Sequence, residues 1–209
     1  MTHDTTGLKD AIKHRRTIYQ LTKKSPISDE KIKELLTLAI QDVPSSFNSQ
    51  TTRIVALFKD EHDKFWDLVA GKLKPIVEGQ GGDWSKSEAR LKMFKDAYAT
   101  ILFYEDKAVV KGLQEKMAVY ADKFPQWSEH TSAMHQYMLW TALETEGLGC
   151  NLQHYNPIVD KEAAETWKVP AEWELIAQLV IGQPAEGARE GLAKKEMKPV
   201  EERLHIHGA

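Results

Sequence analysis

The chain has one cysteine, Cys150, in 209 residues. An internal disulfide is therefore excluded, and a reducing compartment suits the composition. Long apolar runs are missing as well. No stretch approaches the ~20 residues of a membrane-spanning helix, and the polar opening, residues 1–10, lacks the apolar centre of a signal peptide. The expected location is the cytoplasm. A basic excess is also absent: 28 Lys and Arg stand against 31 Asp and Glu, a net charge of −3. A nucleic-acid partner would call for a basic surface, so neither nucleic acid nor membrane is expected as a partner. Metal-ligand spacings fail too. His130 and His135 do not share a helix face, no HExxH occurs, Cys150 and His154 lack further ligands nearby, and His205 and His207 sit in the tail. There is no glycine-rich dinucleotide fingerprint, no phosphate loop and no GxSxG elbow. Cys150 as a nucleophile would need His154 as its base, and a cysteine in apolar surroundings is ordinarily inert.

What remains is an ordinary globular composition, 42% apolar and 28% charged, with six Trp, six Tyr and six Phe. Surface scaling gives roughly 34,000 Å² for the unfolded chain and roughly 10,000 Å² folded, enough to build a core without staples. One domain over 1–209 is expected. Helical spacing runs through 8–15, then through Ile32, Leu35, Leu36, Ala39 and Ile40, introduced by Ser28, Asp29 and Glu30 and ended by Pro44. Further helical patterns cover 61–77, 85–98, 109–123 and 131–146. Residues 53–58, 100–104 and 175–181 read as strands; they are apolar throughout, which predicts helices over both sheet faces. The pattern at 131–146 has almost no polar face, which predicts a helix buried on all sides, central to the domain or at a subunit interface. Residues 78–83, with three glycines, read as a loop.

Three segments could together hold a phosphorylated, planar ligand. Arg15, Arg16 and Thr17 supply two guanidinium groups and a hydroxyl at a helix end; standing alone, the arginines also read as a solvated pair. Pro44, Ser45, Ser46, Phe47, Asn48, Ser49 and Gln50 form a dense row of short donors and acceptors, which alone also reads as a turn or cap. Residues 146–156 place Glu146, Gly147 and Leu148 after the apolar helix, where glycine lets backbone amides approach a ligand or simply stops the helix. In the tail, Lys194, Lys195 and Lys198 could close on a phosphate or stay solvated.

In this order, and together with Phe103-Tyr104-Glu105-Asp106, Phe124-Pro125-Gln126-Trp127 and Leu152-Gln153-His154-Tyr155-Asn156-Pro157, these segments resemble the FMN-dependent nitroreductase family over nearly the whole chain. The likeness is strongest to the compact subgroup that includes the fungal fatty-acid-repression-mutant type and its bacterial relatives. The resemblance implies an α+β fold with a central, mostly antiparallel sheet flanked by helices, and a homodimer with FMN at the interface. It implies that Arg15, Arg16 and Thr17 contact FMN, and that Pro44, Ser45, Ser46, Asn48 and Gln50 reach it from the partner subunit. Glu146, Gly147 and Leu148 would lie beside the flavin ring, and Lys195 or Lys198 would meet its phosphate. The implied activity is ping-pong transfer of two electrons from NADH or NADPH to nitroaromatic or quinone-like acceptors, with a link to oxidative stress. The chemistry would belong to the flavin, so no catalytic side chain is assigned. Phe47, Tyr104, Phe124, Trp127 and Tyr155 are candidates to stack on the small aromatic acceptor; each is also a candidate core residue. The alternative is a flavin-binding sensor or regulator, for example in lipid signalling, with low turnover.

Overall fold

The computed structural model describes residues 5–209, so positions 1–4 of the polar opening lie outside the described residues. The elements run α1 (Thr6–His14), β1 (Leu21–Thr22), α2 (Asp29–Asp42), β2 (Thr52–Phe58), α3 (Asp60–Gly79), α4 (Trp84–Lys95), β3 (Ala99–Asp106), α5 (Lys107–Lys116), α6 (Phe124–Thr145), β4 (Gly149–Gln153), α7 (Asp160–Trp167) and β5 (Trp173–Pro184). The α+β expectation holds. The sheet is antiparallel in all its ladders: β2 pairs β3, β3 pairs β5, and the far side of the long β5 carries both β4 and β1.

The apolar runs behave as their composition requires. Every residue of β3 is buried, and alternate side chains enter different cores. Leu102 and Tyr104 join Phe65, Trp66, Val69 and Phe94 under α3 and α4. Ile101 and Phe103 join Ile32, Ala39, Leu139 and Leu143 under α2 and α6. On β5, Ala177, Leu179 and Ile181 belong to the second core and Val180 to the first. Leu175, also odd-numbered, nevertheless lies in the first core, because the register slips by one residue between Phe103 and Tyr104. An inserted residue reverses the side-chain alternation beyond it.

Buried polar groups tie the layers together. Trp66 Nε1 donates to Thr100 Oγ1 at 2.9 Å, His62 Nδ1 lies 2.8 Å from the same hydroxyl, and His62 Nε2 lies 3.2 Å from the Lys95 carbonyl. A carbonyl only accepts, so Nε2 carries the proton and Nδ1 accepts from Thr100. On the other face, the buried Glu105 accepts from Thr52 Oγ1 at 2.6 Å and from Ser128 Oγ at 2.5 Å, fastening α6 to the sheet.

Several sequence expectations need correction. The helical pattern at 109–123 breaks at Lys116 and is followed by a single 3-10 turn, Ala118–Tyr120. Pro125 then sits in the first turn of α6, where its missing N–H costs nothing. The apolar pattern at 131–146 is thus the last two-thirds of a longer helix. It is not buried on all sides either: Met134 is 40% and Tyr137 45% exposed, while Thr131, Ser132, His135 and Gln136 face inward with Leu139 and Leu143. β4 and α7 have no counterpart in the sequence reading.

Candidate functional site

After α1 the chain runs as a short strap alongside β4. Ile18 N donates to the Cys150 carbonyl at 2.9 Å, Thr17 bridges Cys150, and Asn151 Nδ2 donates to the Ile18 carbonyl at 3.0 Å. The approach is close enough to require glycine at 149: a Cβ there would lie 2.7 Å from Leu21 Cδ2 and 3.2 Å from Ile18 Cβ. Cys150 itself is fully buried, and burial pushes its thiol well above the ordinary range. It is a small core residue and not a nucleophile.

The strap carries Arg15, Arg16 and Thr17, all half-buried. The Arg15 guanidinium lies over the Trp140 ring, 4.7 Å from its centroid. Arg16 donates from its guanidinium to the Ala193 carbonyl at 2.6 Å, and Lys195 Nζ reaches the Arg15 carbonyl at 3.5 Å. Arg189 joins them: it donates to the His14 carbonyl at 3.0 Å and to Glu144 Oε2 at 2.9 Å. Arg15, Arg16, Arg189 and Lys195 therefore converge beside the C-terminal end of α6, and Glu144 offsets one of the four charges. Among the described residues, Arg15, Arg16 and Lys195 form no ion pair. Next to them, Gly147 takes φ +87°, a conformation natural to glycine. It turns the chain so that Gly147 N and Leu148 N bond back to the end of α6. Leu148 is buried, so only its backbone could face a ligand.

The second predicted segment lies elsewhere on the same chain. Residues 44–50 fold against the N-terminal end of α6. Gln50 N donates to Ser45 Oγ at 2.9 Å, and Phe47, Asn48 and Gln50 all adopt positive φ near 50°. Three non-glycine residues in this region store about 1–3 kcal/mol of strain each, a pattern found where a loop's shape serves binding. The exposed Phe47 ring packs 5.7–5.9 Å from the rings of Tyr120, Phe124 and Trp127. Trp127 and Trp140 mark the two groups; thirteen positions of helix separate them by about 20 Å.

The structure thus gathers Arg15, Arg16, Thr17, Glu146, Gly147 and Lys195 at one end of α6, and Phe47, Phe124 and Trp127 with Ser45, Ser46, Asn48 and Gln50 at the other. Lys198 is exposed farther along the tail. Tyr104 and Tyr155 do not belong to the aromatic group. Tyr104 is 1% exposed with its hydroxyl unpartnered, and burial drives that hydroxyl's pKa upward. Tyr155 is half-buried and packs on Trp66 and Phe94 at the margin of the first core. A ring sealed as Tyr104 is offers no face to a soluble acceptor, and the same holds for Phe124, 2% exposed beneath Phe47 and Trp127. Sequence reasoning missed Glu144, Trp140, Tyr120 and Arg189. A carboxylate inside an otherwise apolar helix was the available signal for Glu144; Arg189 had none.

A sheet buried between helices carries, at one helix end, a strap whose cations stay outside any ion pair among the described residues, a donor set of the kind that suits an anionic group. The profile of the Nitroreductase family matches residues 12–183, and the chain belongs to that flavin-dependent family of oxidoreductases. Its relatives include nitroreductase FRM2 of Saccharomyces cerevisiae, 35% identical over 177 residues, 84% of this chain and 86% of the yeast protein. Nitroreductase CinD from Lactococcus lactis, solved in complex with nicotinic acid, is 41% identical with a TM-score of 0.87, covering 96% of this chain and 99% of CinD. CinD in complex with 4-nitrophenol, over the same shares, gives a TM-score of 0.84.

Proposed function

We propose that the chain is an FMN-dependent oxidoreductase that works as a homodimer, taking two electrons from NADH or NADPH and passing them to nitroaromatic or quinone-like acceptors by a ping-pong route. The observation that carries the reading is the cluster of Arg15, Arg16, Arg189 and Lys195 around the strap. Its donor chemistry suits the phosphate and the electron-rich edge of FMN.

The ~20 Å separation of the two groups on α6 supports the dimer. A two-fold axis near Met134 and Tyr137 lays two copies of α6 antiparallel, so that residues 44–50 of one chain meet the strap of the other. The exposed Met134 and Tyr137, with Leu8 and Ile12 on α1, supply apolar surface for that contact. The chain exposes 12700 Å², against about 10,000 Å² for a compact monomer of its mass.

Bound FMN would supply the two-electron chemistry at its ring. The chain's residues do the rest. Arg15, Arg16, Arg189 and Lys195 bind the phosphate and stabilise negative charge. Lys195 takes this role over Lys198 because its ammonium already reaches the strap. Ser45, Ser46, Asn48 and Gln50 from the partner subunit bond the polar chain of FMN, and Glu146 and Gly147 border its ring. Phe47 and Trp127, joined by Tyr120, stack on a planar acceptor and exclude water, with the buried Phe124 ring supporting them from beneath. The 4-nitrophenol and nicotinic acid bound to CinD have the shapes of such an acceptor and of a nicotinamide.

The visible spectrum of purified protein, before and after anaerobic NADH or NADPH, tests the reading. Flavin absorbance that bleaches with the donor and returns with a nitroaromatic or quinone is expected. Colourless protein that cannot be reconstituted with FMN would refute it, and yellow protein that no nicotinamide bleaches would point to the sensor alternative.

A further inference from the structure

A carboxylate withdrawn from water needs donors on its lone pairs, since an unpaired buried charge is strongly destabilising. Glu144 is such a carboxylate: its side chain is 0% exposed. Three donors converge on it. Trp140 Nε1 donates to Oε1 at 2.7 Å, and Arg16 N at 3.0 Å and Arg189 at 2.9 Å both donate to Oε2. Each donor belongs to a different part of the cationic site. The Arg16 peptide is the strap itself. The Trp140 ring carries the Arg15 guanidinium on its face. Arg189 reaches on to the His14 carbonyl, at the end of the helix that feeds the strap.

Glu144 therefore holds Arg16 by its backbone and Arg15 through an aromatic ring, and consumes neither of their charges. A carboxylate that paired directly with those guanidiniums would neutralise the site; this one orients it. We propose that Glu144 is the positioning residue that pre-sets Arg15 and Arg16 for an anionic ligand, so that the protein does not have to order the strap when the ligand arrives. The inference rests on the FMN reading above.

The chemistry demands a carboxylate and not its amide. A glutamine side chain at this position would offer one acceptor oxygen in place of two and turn an N–H donor either towards Trp140 Nε1 or towards both Arg16 N and Arg189. Glu144→Gln keeps the volume while breaking part of the array. The test measures FMN affinity of the apoprotein by quenching of flavin fluorescence, in the wild type, in Glu144→Gln, in Arg15→Ala/Arg16→Ala, and in all three substitutions combined.

Glu144→Gln should weaken FMN at least tenfold in the wild-type background and less than twofold when Arg15 and Arg16 are already alanine. A merely structural role would give the same loss in both backgrounds, and that result would overturn the proposal. Hydrogen exchange supplies a readout without FMN: the Arg16 amide should lose protection in Glu144→Gln while the α6 amides keep theirs. If Glu144→Gln does not fold, Trp140→Phe serves instead, since it removes one donor and keeps the ring under Arg15; an affinity unchanged in that variant would count against the proposal. Wild-type protein that binds no FMN sinks the functional reading. Wild-type protein that binds FMN, with Glu144→Gln binding it equally well, sinks this inference alone.

Discussion

Removing the Arg16 side chain probes the cationic strap most directly. Arg16 is held in two ways: its peptide N–H donates to Glu144 at 3.0 Å, and its guanidinium donates to the Ala193 carbonyl at 2.6 Å. Arg16→Ala leaves the first contact intact and deletes the second, so the strap keeps its backbone path while the charge disappears. A charge-assisted hydrogen bond contributes about 1.5–3 kcal/mol, which corresponds to a loss of about 10- to 150-fold in FMN affinity. Losing the Ala193 contact should also free the tail, so proteolysis within residues 190–198 should accelerate. Equilibrium titration of apoprotein with FMN, at low and at moderate salt, reads the first effect. The wild type should lose affinity with salt more steeply than the variant, because it places one more cation against the phosphate. Unchanged FMN affinity in the Arg15→Ala/Arg16→Ala double variant would refute the assignment of the strap.

Other substitutions probe the surrounding structure. Gly149→Ala places a methyl 2.7 Å from Leu21 Cδ2 and 3.1 Å from Pro184 Cγ, so it should cost about 1–3 kcal/mol in urea unfolding and loosen the strap; an unaltered urea midpoint would show that the close approach is not required. Burial holds His62 at about 4, against its ordinary 6.5. The unfolded chain therefore takes up a proton before the folded one, and stability that is full above pH 6.5 is lost as pH falls towards 4. The loss amounts to about 3 kcal/mol. His62→Gln should flatten the dependence of the urea midpoint over that range, and an unchanged slope would contradict the account. Tyr137→Asp puts a charge at the proposed two-fold contact and should shift the protein from dimer to monomer in light scattering, with FMN released; a dimer of unchanged stability would move the interface elsewhere.

The two candidate clusters were legible in the sequence to different degrees. Arg15, Arg16, Thr17 and Gly147 stood out because their residue types suit an anion or a tight turn at helix ends, which are local properties. The aromatic candidates could not be sorted by type. Phe47 and Tyr104 look alike as letters, yet one is exposed on a strained loop and the other is sealed between sheet and helices. Burial depends on what packs above a residue, and that is set by chain segments far away in sequence. Arg189 was invisible for the same reason: it meets His14, at the end of the helix that leads into the strap, across 175 positions of chain.

The sequence by itself determined the apolar strands, most of the helices, the absence of disulfide and metal spacing, and the order of segments that marks the family. These follow from periodicity, composition and short-range stereochemistry. Tertiary structure alone decided that β4 completes the sheet, that a register slip turns Leu175 into the first core, and that one buried carboxylate gathers Arg16, Trp140 and Arg189. It also decided that the two halves of the proposed cofactor site sit about 20 Å apart on one helix. No local rule contains that separation. It arises because α6 is a rigid rod whose ends are packed by different segments, and it is the observation on which the proposed dimer rests.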